Sequence, residues 1–276
     1  MEYESFFNIE QEPFSNVPDP RFFFSGPEHA KPFLRIMYSA QRMKGLVVLT
    51  GVAGTGKTTL SRKILASLLN EKEYLPGILV LTRNDYPEQW LTSKIAELLQ
   101  IKNSSGEKNI IQLISQKLFE LKDIGRKPII IIDEANKLQS DANLEELRSI
   151  LNIEHEEQKL ITFILCGMPI LRELVNRNES LRQRIAYIIS LKAMSKSSSL
   201  DYVKHRLKIA GAHDEIFTDD ALEEIYRWSK GKPRIINSIC DNALLEAVLL
   251  QKKPITGEIV DLASESLGLV SEPESE

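Results

Sequence analysis

Two periodicities divide this chain. Up to Lys192, short continuous apolar runs alternate with longer stretches whose apolar positions recur at helical spacing. The runs Leu46–Thr50, Ile78–Thr82, Ile129–Ile132, Leu160–Cys166 and Ile185–Leu191 read as buried strands. The stretches Glu28–Met43, Leu60–Leu69, Glu88–Leu99, Ile110–Leu121, Leu144–Ile153 and Ile170–Val175 read as helices. From Ser195 onward no strand is evident. Leu200–Ala210, Asp220–Ser229, Arg234–Leu250 and Ile255–Leu267 read as helices, with Thr218 as an N-cap and Pro233 where a helix starts. Strands alternating with helices, then helices alone, predict an α/β fold: a doubly wound parallel sheet flanked by helices, followed by a small helical domain. The first 26 residues are rich in Phe and Pro, too apolar for a disordered tail, and read as an extended arm with a short terminal helix packed over the domain.

The loop between the first strand and its helix carries the candidate chemistry. It reads Gly51-Val52-Ala53-Gly54-Thr55-Gly56-Lys57-Thr58, a complete G-x-x-x-x-G-K-[ST] phosphate-binding pattern in the strand–loop–helix setting it requires. The alternative is a Gly-rich turn with no ligand. The residues Gly51, Gly54, Thr55, Gly56, Lys57, Thr58 and Thr59 are the candidate nucleotide contacts. Glycines let backbone N–H groups turn toward phosphate oxygens, and the helix N-terminus adds partial positive charge. Lys57 would reach the β- and γ-phosphates of ATP, and the Thr58 hydroxyl would sit on Mg²⁺.

A second motif follows about 80 residues later, a separation that suits phosphate-loop folds. Pro128-Ile129-Ile130-Ile131-Ile132-Asp133-Glu134 has the continuous apolar character of a central parallel strand buried on both faces. Its carboxyl end is where open α/β sheets bind ligands. Asp133 is the candidate Mg²⁺ holder, through water. Glu134 is the candidate general base that polarises the attacking water. Taken alone, the same residues describe a strand ending in two solvated acids.

Composition narrows the class. The chain has 276 residues, 42% hydrophobic and 27% charged, as in ordinary soluble globular proteins. No apolar stretch approaches the length of a membrane span, and the acidic N-terminus lacks a signal-peptide pattern. Cys166 and Cys240 sit in apolar segments without metal or disulfide spacing, which points to a cytoplasmic location. The net charge of −4 includes an acidic C-terminal tail, so the remainder is near neutral and no basic nucleic-acid tail is present.

From about Tyr3 to Leu267 the chain resembles AAA+ ATPases, and more narrowly the ExeA/GspA-type ATPases of the general secretion pathway. The likeness rests on ordered pieces: Y-E-S-F-F-N-I-E-Q-E-P-F, P-D-P-R-F-F-F and Glu28-His29 in the arm, then T-G-V-A-G-T-G-K-T-T-L and I-I-D-E-A. L-R-S-I-L-N-I-E around Arg148, R-Q-R-I at 182–185 and G-K-P-R-I-I-N at 231–237 complete it. It implies an arm on the ATPase core (1–26), a P-loop ATPase domain (27–192), a helical lid (193–268) and an acidic tail (269–276). It implies an ATPase that assembles with copies of itself. Arg184 is the implied finger reaching a neighbouring subunit's ATP, with Arg182 as runner-up, and Arg234 is the implied lid sensor of the γ-phosphate. His29 would help frame the adenine pocket. The Phe22–Phe24 cluster is most simply packing, with adenine contact as a secondary role.

One position departs from that pattern. Before Pro169 the relatives usually carry glutamine, where this chain has Met168, which cannot orient a water or phosphate well. Asn136, in place of a common glutamine, could supply polarity nearby. Slow hydrolysis is the expectation. The absence of a membrane segment weakens the envelope reading. The architecture is also similar to TniB/TnsC-type transposition regulators, which assemble on DNA. Three functions therefore stand: an ATPase switch serving secretion or envelope assembly with an unidentified protein partner, a regulator assembling on duplex DNA, and a nucleotide-gated scaffold with weak hydrolysis.

Overall fold

The computed structural model describes residues 3–101 and 109–269; most of the acidic tail, 270–276, lies outside them. The chain forms two compact units. One, the sheet unit, comprises residues 31–53 and 57–191; the other, the helical unit, comprises 1–30, 54–56 and 192–276.

In the sheet unit, the helix α2 (Pro27–Gln41, from Lys31 on) precedes β1 (Leu46–Thr50), α3 (Lys57–Leu69) and β2 (Tyr74–Val80). Next come α4 (Trp90–Leu98), α5 (Ile110–Asp123), β3 (Lys127–Asp133) and α6 (Asp141–Leu151). A small hairpin of β4 (Glu154–His155) and β5 (Gln158–Lys159) leads to β6 (Thr162–Gly167), α7 (Ile170–Arg177), α8 (Glu179–Arg182) and β7 (Ile185–Ser190). Among the described residues the large sheet has the order β2-β3-β6-β1-β7, and every pairing in it is parallel. The three central strands are buried along nearly their whole length, because helices cover both faces of a parallel sheet and no face is left for polar alternation. That order places the carboxyl ends of β3, β6 and β1 side by side.

Three local features depart from the sequence pattern. β2 starts at Tyr74, four residues before the expected Ile78, and ends at Val80 rather than Thr82. Pro76 and Gly77 look like breakers, but β2 lies on the sheet edge and pairs with β3 only, where a strand tolerates proline. The β4–β5 hairpin was not expected. Its turn residues Glu156 and Glu157 both adopt left-handed backbone (φ 48° and 62°), where Asn-Gly would be the usual signal. The short helix α8 was also absent from the pattern.

The helical unit packs α9 (Lys196–Ile209), α10 (Asp219–Ser229), α11 (Pro233–Leu250) and α12 (Gly257–Ser266) around their own core. Thr218 stands at the N-cap of α10, yet its hydroxyl donates to Ile255 O (3.0 Å) and makes no capping bond. The N-terminal arm, expected against the ATPase core, contributes to the helical core instead. Its helix α1 (Tyr3–Phe7) and the residues after it bury Phe7, Ile9 and Phe14 among the C-terminal helices. The Phe22–Phe24 cluster is packing: Phe24 meets Tyr202 and His205, and Phe22 lies under a guanidinium.

That guanidinium is Arg206, 6% exposed, which nothing in the sequence singles out. It donates to Pro13 O, to Ser15 O (3.1 Å) and to Tyr202 Oη (2.8 Å), and its Cζ stands 4.7 Å from the Phe22 ring centre. Arg206 therefore fastens the arm to α9 by satisfying carbonyls that no secondary structure pairs. Arg206→Ala should lower the unfolding free energy by about 3 kcal/mol, since buried hydrogen bonds to a charged group are lost together. Urea unfolding, with limited proteolysis of the arm, measures this; a loss below about 0.5 kcal/mol, the scale of an ordinary surface change, would show the arm is held by its phenylalanines alone.

Candidate nucleotide site

On the sheet unit, β1 ends and the loop departs at once. Gly51 N donates to Gly167 O (3.2 Å), rooting the loop on the end of β6. Gly54 and Gly56 take φ values of +81° and +92°, which a side chain would disfavour. The helix α3 starts at Lys57, so Thr58 and Thr59 occupy its first turn, both half-buried. Their N–H groups are among those a helix start leaves without intrahelical partners.

Lys57 is 7% exposed. Its Nζ donates to Gly51 O (2.8 Å) and Val52 O (3.1 Å), and stands 4.0 Å from Met168 Sδ. Burial lowers its pKa, and the charges of Glu134 and then Asp133 act against that shift. The acids at the end of β3 thus lie within electrostatic reach of the loop lysine, with only β6 between β3 and β1. Behind them, Ser61 Oγ donates to Cys166 Sγ (3.2 Å), and burial pushes the Cys166 thiol up to about 12, so this cysteine is an inert wall residue.

Asp133 is 1% exposed, and its Oδ1 accepts the N–H of Glu134 (3.0 Å). Glu134 adopts a left-handed backbone (φ 57°, ψ 33°), which costs a non-glycine residue about 1 kcal/mol. The chain thereby turns out of the strand into a 3-10 turn, Ala135–Lys137, and the Glu134 carboxylate stays half-buried at the strand end. Asn136 in that turn bonds back to β6: its Oδ1 accepts the N–H of Met168 (2.9 Å). The sequence pattern suggested polarity at Asn136 but not this bond.

Elsewhere on the sheet unit, Arg184 follows α8. Its Nε donates to Asn152 Oδ1 (2.9 Å) and its Nη1 to Ser180 O (2.5 Å), while Arg182 is exposed.

The helical unit holds the loop tip, Gly54–Gly56. His29 is 3% exposed, and its Nε2 lies 2.9 Å from Thr55 O. A carbonyl only accepts, so Nε2 carries the proton. Nδ1 is left as a buried acceptor with no partner among the described residues. Burial lowers the His29 pKa, against the opposing effect of the Thr55 carbonyl. The structure thus has His29 gripping the phosphate-loop backbone, with Phe23 edge-on to its ring. At the start of α11 the exposed Arg234 also meets the loop tip: its N–H donates to Gly54 O (3.3 Å).

These features define a class. Residues 40–175 match the AAA domain family, and the chain carries an AAA domain in the P-loop AAA+ fold. The chain is similar to General secretion pathway protein A of Aeromonas hydrophila, at 34% identity over 275 residues; the match covers 98% of this chain and 49% of that protein, so this chain spans about half its length. Among solved structures, the Aeropyrum pernix ORC2 protein superposes with a TM-score of 0.69 at 16% identity, covering 93% of this chain and 71% of that one. The Thermotoga maritima RuvB Holliday junction branch migration motor superposes with a TM-score of 0.59 at 21% identity, covering 91% and 72%. Those two likenesses establish the fold.

Proposed function

We propose that this protein is an ATP-binding and ATP-hydrolysing switch of the ExeA/GspA type, which assembles with copies of itself and acts with a protein partner in secretion or envelope assembly. The observation that carries the nucleotide chemistry is the gathering of Lys57, Asp133 and Glu134 at the carboxyl ends of β1 and β3, the two strands that flank β6. The general-secretion reading rests on the similarity over nearly the whole chain. Among the described residues no helix is long and apolar enough to cross a membrane. We assign the chain to the cytoplasm, on the sequence pattern.

In this reading the loop N–H groups and Lys57 hold the triphosphate. Lys57 exchanges its bonds to Gly51 O and Val52 O for phosphate oxygens, which offer the amine a stronger, charge-assisted partner. The Thr58 hydroxyl and the Asp133 carboxylate are hard oxygen donors, the kind Mg²⁺ takes alongside water and phosphate. Among the described residues no group of three His, Cys, Asp or Glu could hold a metal by itself, which suits an ion bound chiefly through nucleotide and water. Mg²⁺ held there would neutralise charge on the β- and γ-phosphates. Glu134 accepts the proton of the attacking water. Arg234, whose backbone meets Gly54, is the proposed sensor of the γ-phosphate.

Arg184 is the proposed finger toward a neighbouring subunit. Its Nε and Nη1 are already bonded within its own chain, so the remaining edge of the guanidinium would act. Arg184→Ala should keep ATP affinity and lose the assembly-stimulated part of hydrolysis, about 30-fold for one charged hydrogen bond of about 2 kcal/mol. Mixing it with Lys57→Ala should restore activity at hybrid interfaces. Hydrolysis assays at several mixing ratios, with hybrid assembly followed by light scattering, test both the finger and the oligomeric switch. If Arg182→Ala gives this pattern and Arg184→Ala does not, the finger is Arg182.

A further inference from the structure

The environment of Lys57 is uneven. On one side stand Asp133 and Glu134, whose charges act on it; on another, at 4.0 Å, stands the Met168 thioether. A thioether donates no hydrogen bond, so the terminal phosphate of a nucleotide held by Lys57 gains nothing from that side chain. Asn136 is bonded to the backbone of that same residue, Met168. Its orientation is determined, because its partner is the Met168 N–H at 2.9 Å and only the amide oxygen accepts. Nδ2 therefore faces away from the β6 backbone, and among the described residues no acceptor is bonded to it. The side chain is half-buried, between the exits of β3 and β6. The fold reserves this place: a Cβ on Gly167 would lie 2.6 Å from Asn136 Oδ1 and 3.0 Å from Asn136 N.

Resting on the nucleotide reading above, we propose that the Asn136 side-chain amide donates from Nδ2 to the terminal phosphate of a bound nucleoside triphosphate. Asn136 thereby adds to the preference for triphosphate over diphosphate, beside the Arg234 sensor proposed above. Its oxygen holds the amide in place, and its nitrogen contacts the ligand.

Two variants test this in the full chain. Asn136→Asp keeps an oxygen for the Met168 N–H and removes the donor. Asn136→Ala removes both without adding charge. Calorimetric titrations with Mg²⁺-adenosine imidotriphosphate and with Mg²⁺-ADP give the triphosphate-to-diphosphate affinity ratio independently of hydrolysis. The expected result is a tenfold or larger fall in that ratio in both variants, with ADP affinity within threefold of the parent. Asn136→Asp should also keep the parent's unfolding temperature. A ratio unchanged in Asn136→Asp, or triphosphate and ADP affinities falling together, would overturn the assignment. If the parent prefers the triphosphate and both variants keep that preference, Asn136 alone is misassigned. If the parent binds neither nucleotide, the phosphate-loop reading fails and this inference with it.

Discussion

Replacing Lys57 by alanine should weaken ATP binding about a thousandfold while leaving the protein folded. Two charge-assisted hydrogen bonds to phosphate are lost, at about 2 kcal/mol each, and about 4 kcal/mol corresponds to roughly three decades in Kd. The structure adds a reason for the fold to survive. Lys57 is buried enough that desolvation lowers its pKa, so its charge is held at a cost when no phosphate is present. What the free protein loses is its pair of bonds to Gly51 O and Val52 O, in a loop still rooted by the Gly51–Gly167 bond. The amine therefore also braces the loop, so a small fall in unfolding temperature should accompany the large fall in affinity. Calorimetric ATP titration beside a thermal melt separates the two effects. Unchanged affinity in a folded variant would remove the phosphate-loop assignment.

Glu134→Gln should leave ATP bound and reduce turnover by about 10³-fold, within the range of one positioned general base. The substitution retains size and hydrogen-bonding capacity and removes only the proton-accepting charge. It also leaves the backbone as it is, and here that matters. Glu134 sits in the left-handed region, and its N–H is held by Asp133 Oδ1, so the geometry that aims the carboxylate is imposed by the chain and not by the side chain. Glu134→Gly supplies the complementary measurement. It should relieve about 1 kcal/mol of backbone strain and raise stability, yet lose turnover as the glutamine variant does. Such strain, retained at an acid beside the loop lysine, is the kind that accompanies function. Single-turnover hydrolysis and nucleotide affinity decide: parental turnover in Glu134→Gln would show that another group takes the proton.

How much of this protein could be read along the chain depends on how far apart the deciding partners lie. The core strands β1, β3 and β6 were legible because burial on both faces of a parallel sheet selects continuous apolar runs, a signal contained within a few residues. The loop from Gly51 to Thr58 was legible for the same reason: its glycines and its lysine act within one turn. β2 was only half legible, because whether Pro76 is tolerated depends on its strand lying at an edge, and edge position is a property of the sheet. The strand order that brings Asp133 and Glu134 within reach of Lys57 is likewise set by long-range pairing: β6 lies between the two strands and pairs with both, Leu46 opposite Phe163 and Ile129 opposite Thr162. Tertiary structure alone decided that the arm joins the helical core, through Arg206 and carbonyls nearly 200 residues away in sequence. It also decided that His29 grips Thr55, and that Asn136 is turned by the Met168 N–H. A buried polar side chain is assigned by the partner that satisfies it, and that partner is named only when the chain has folded.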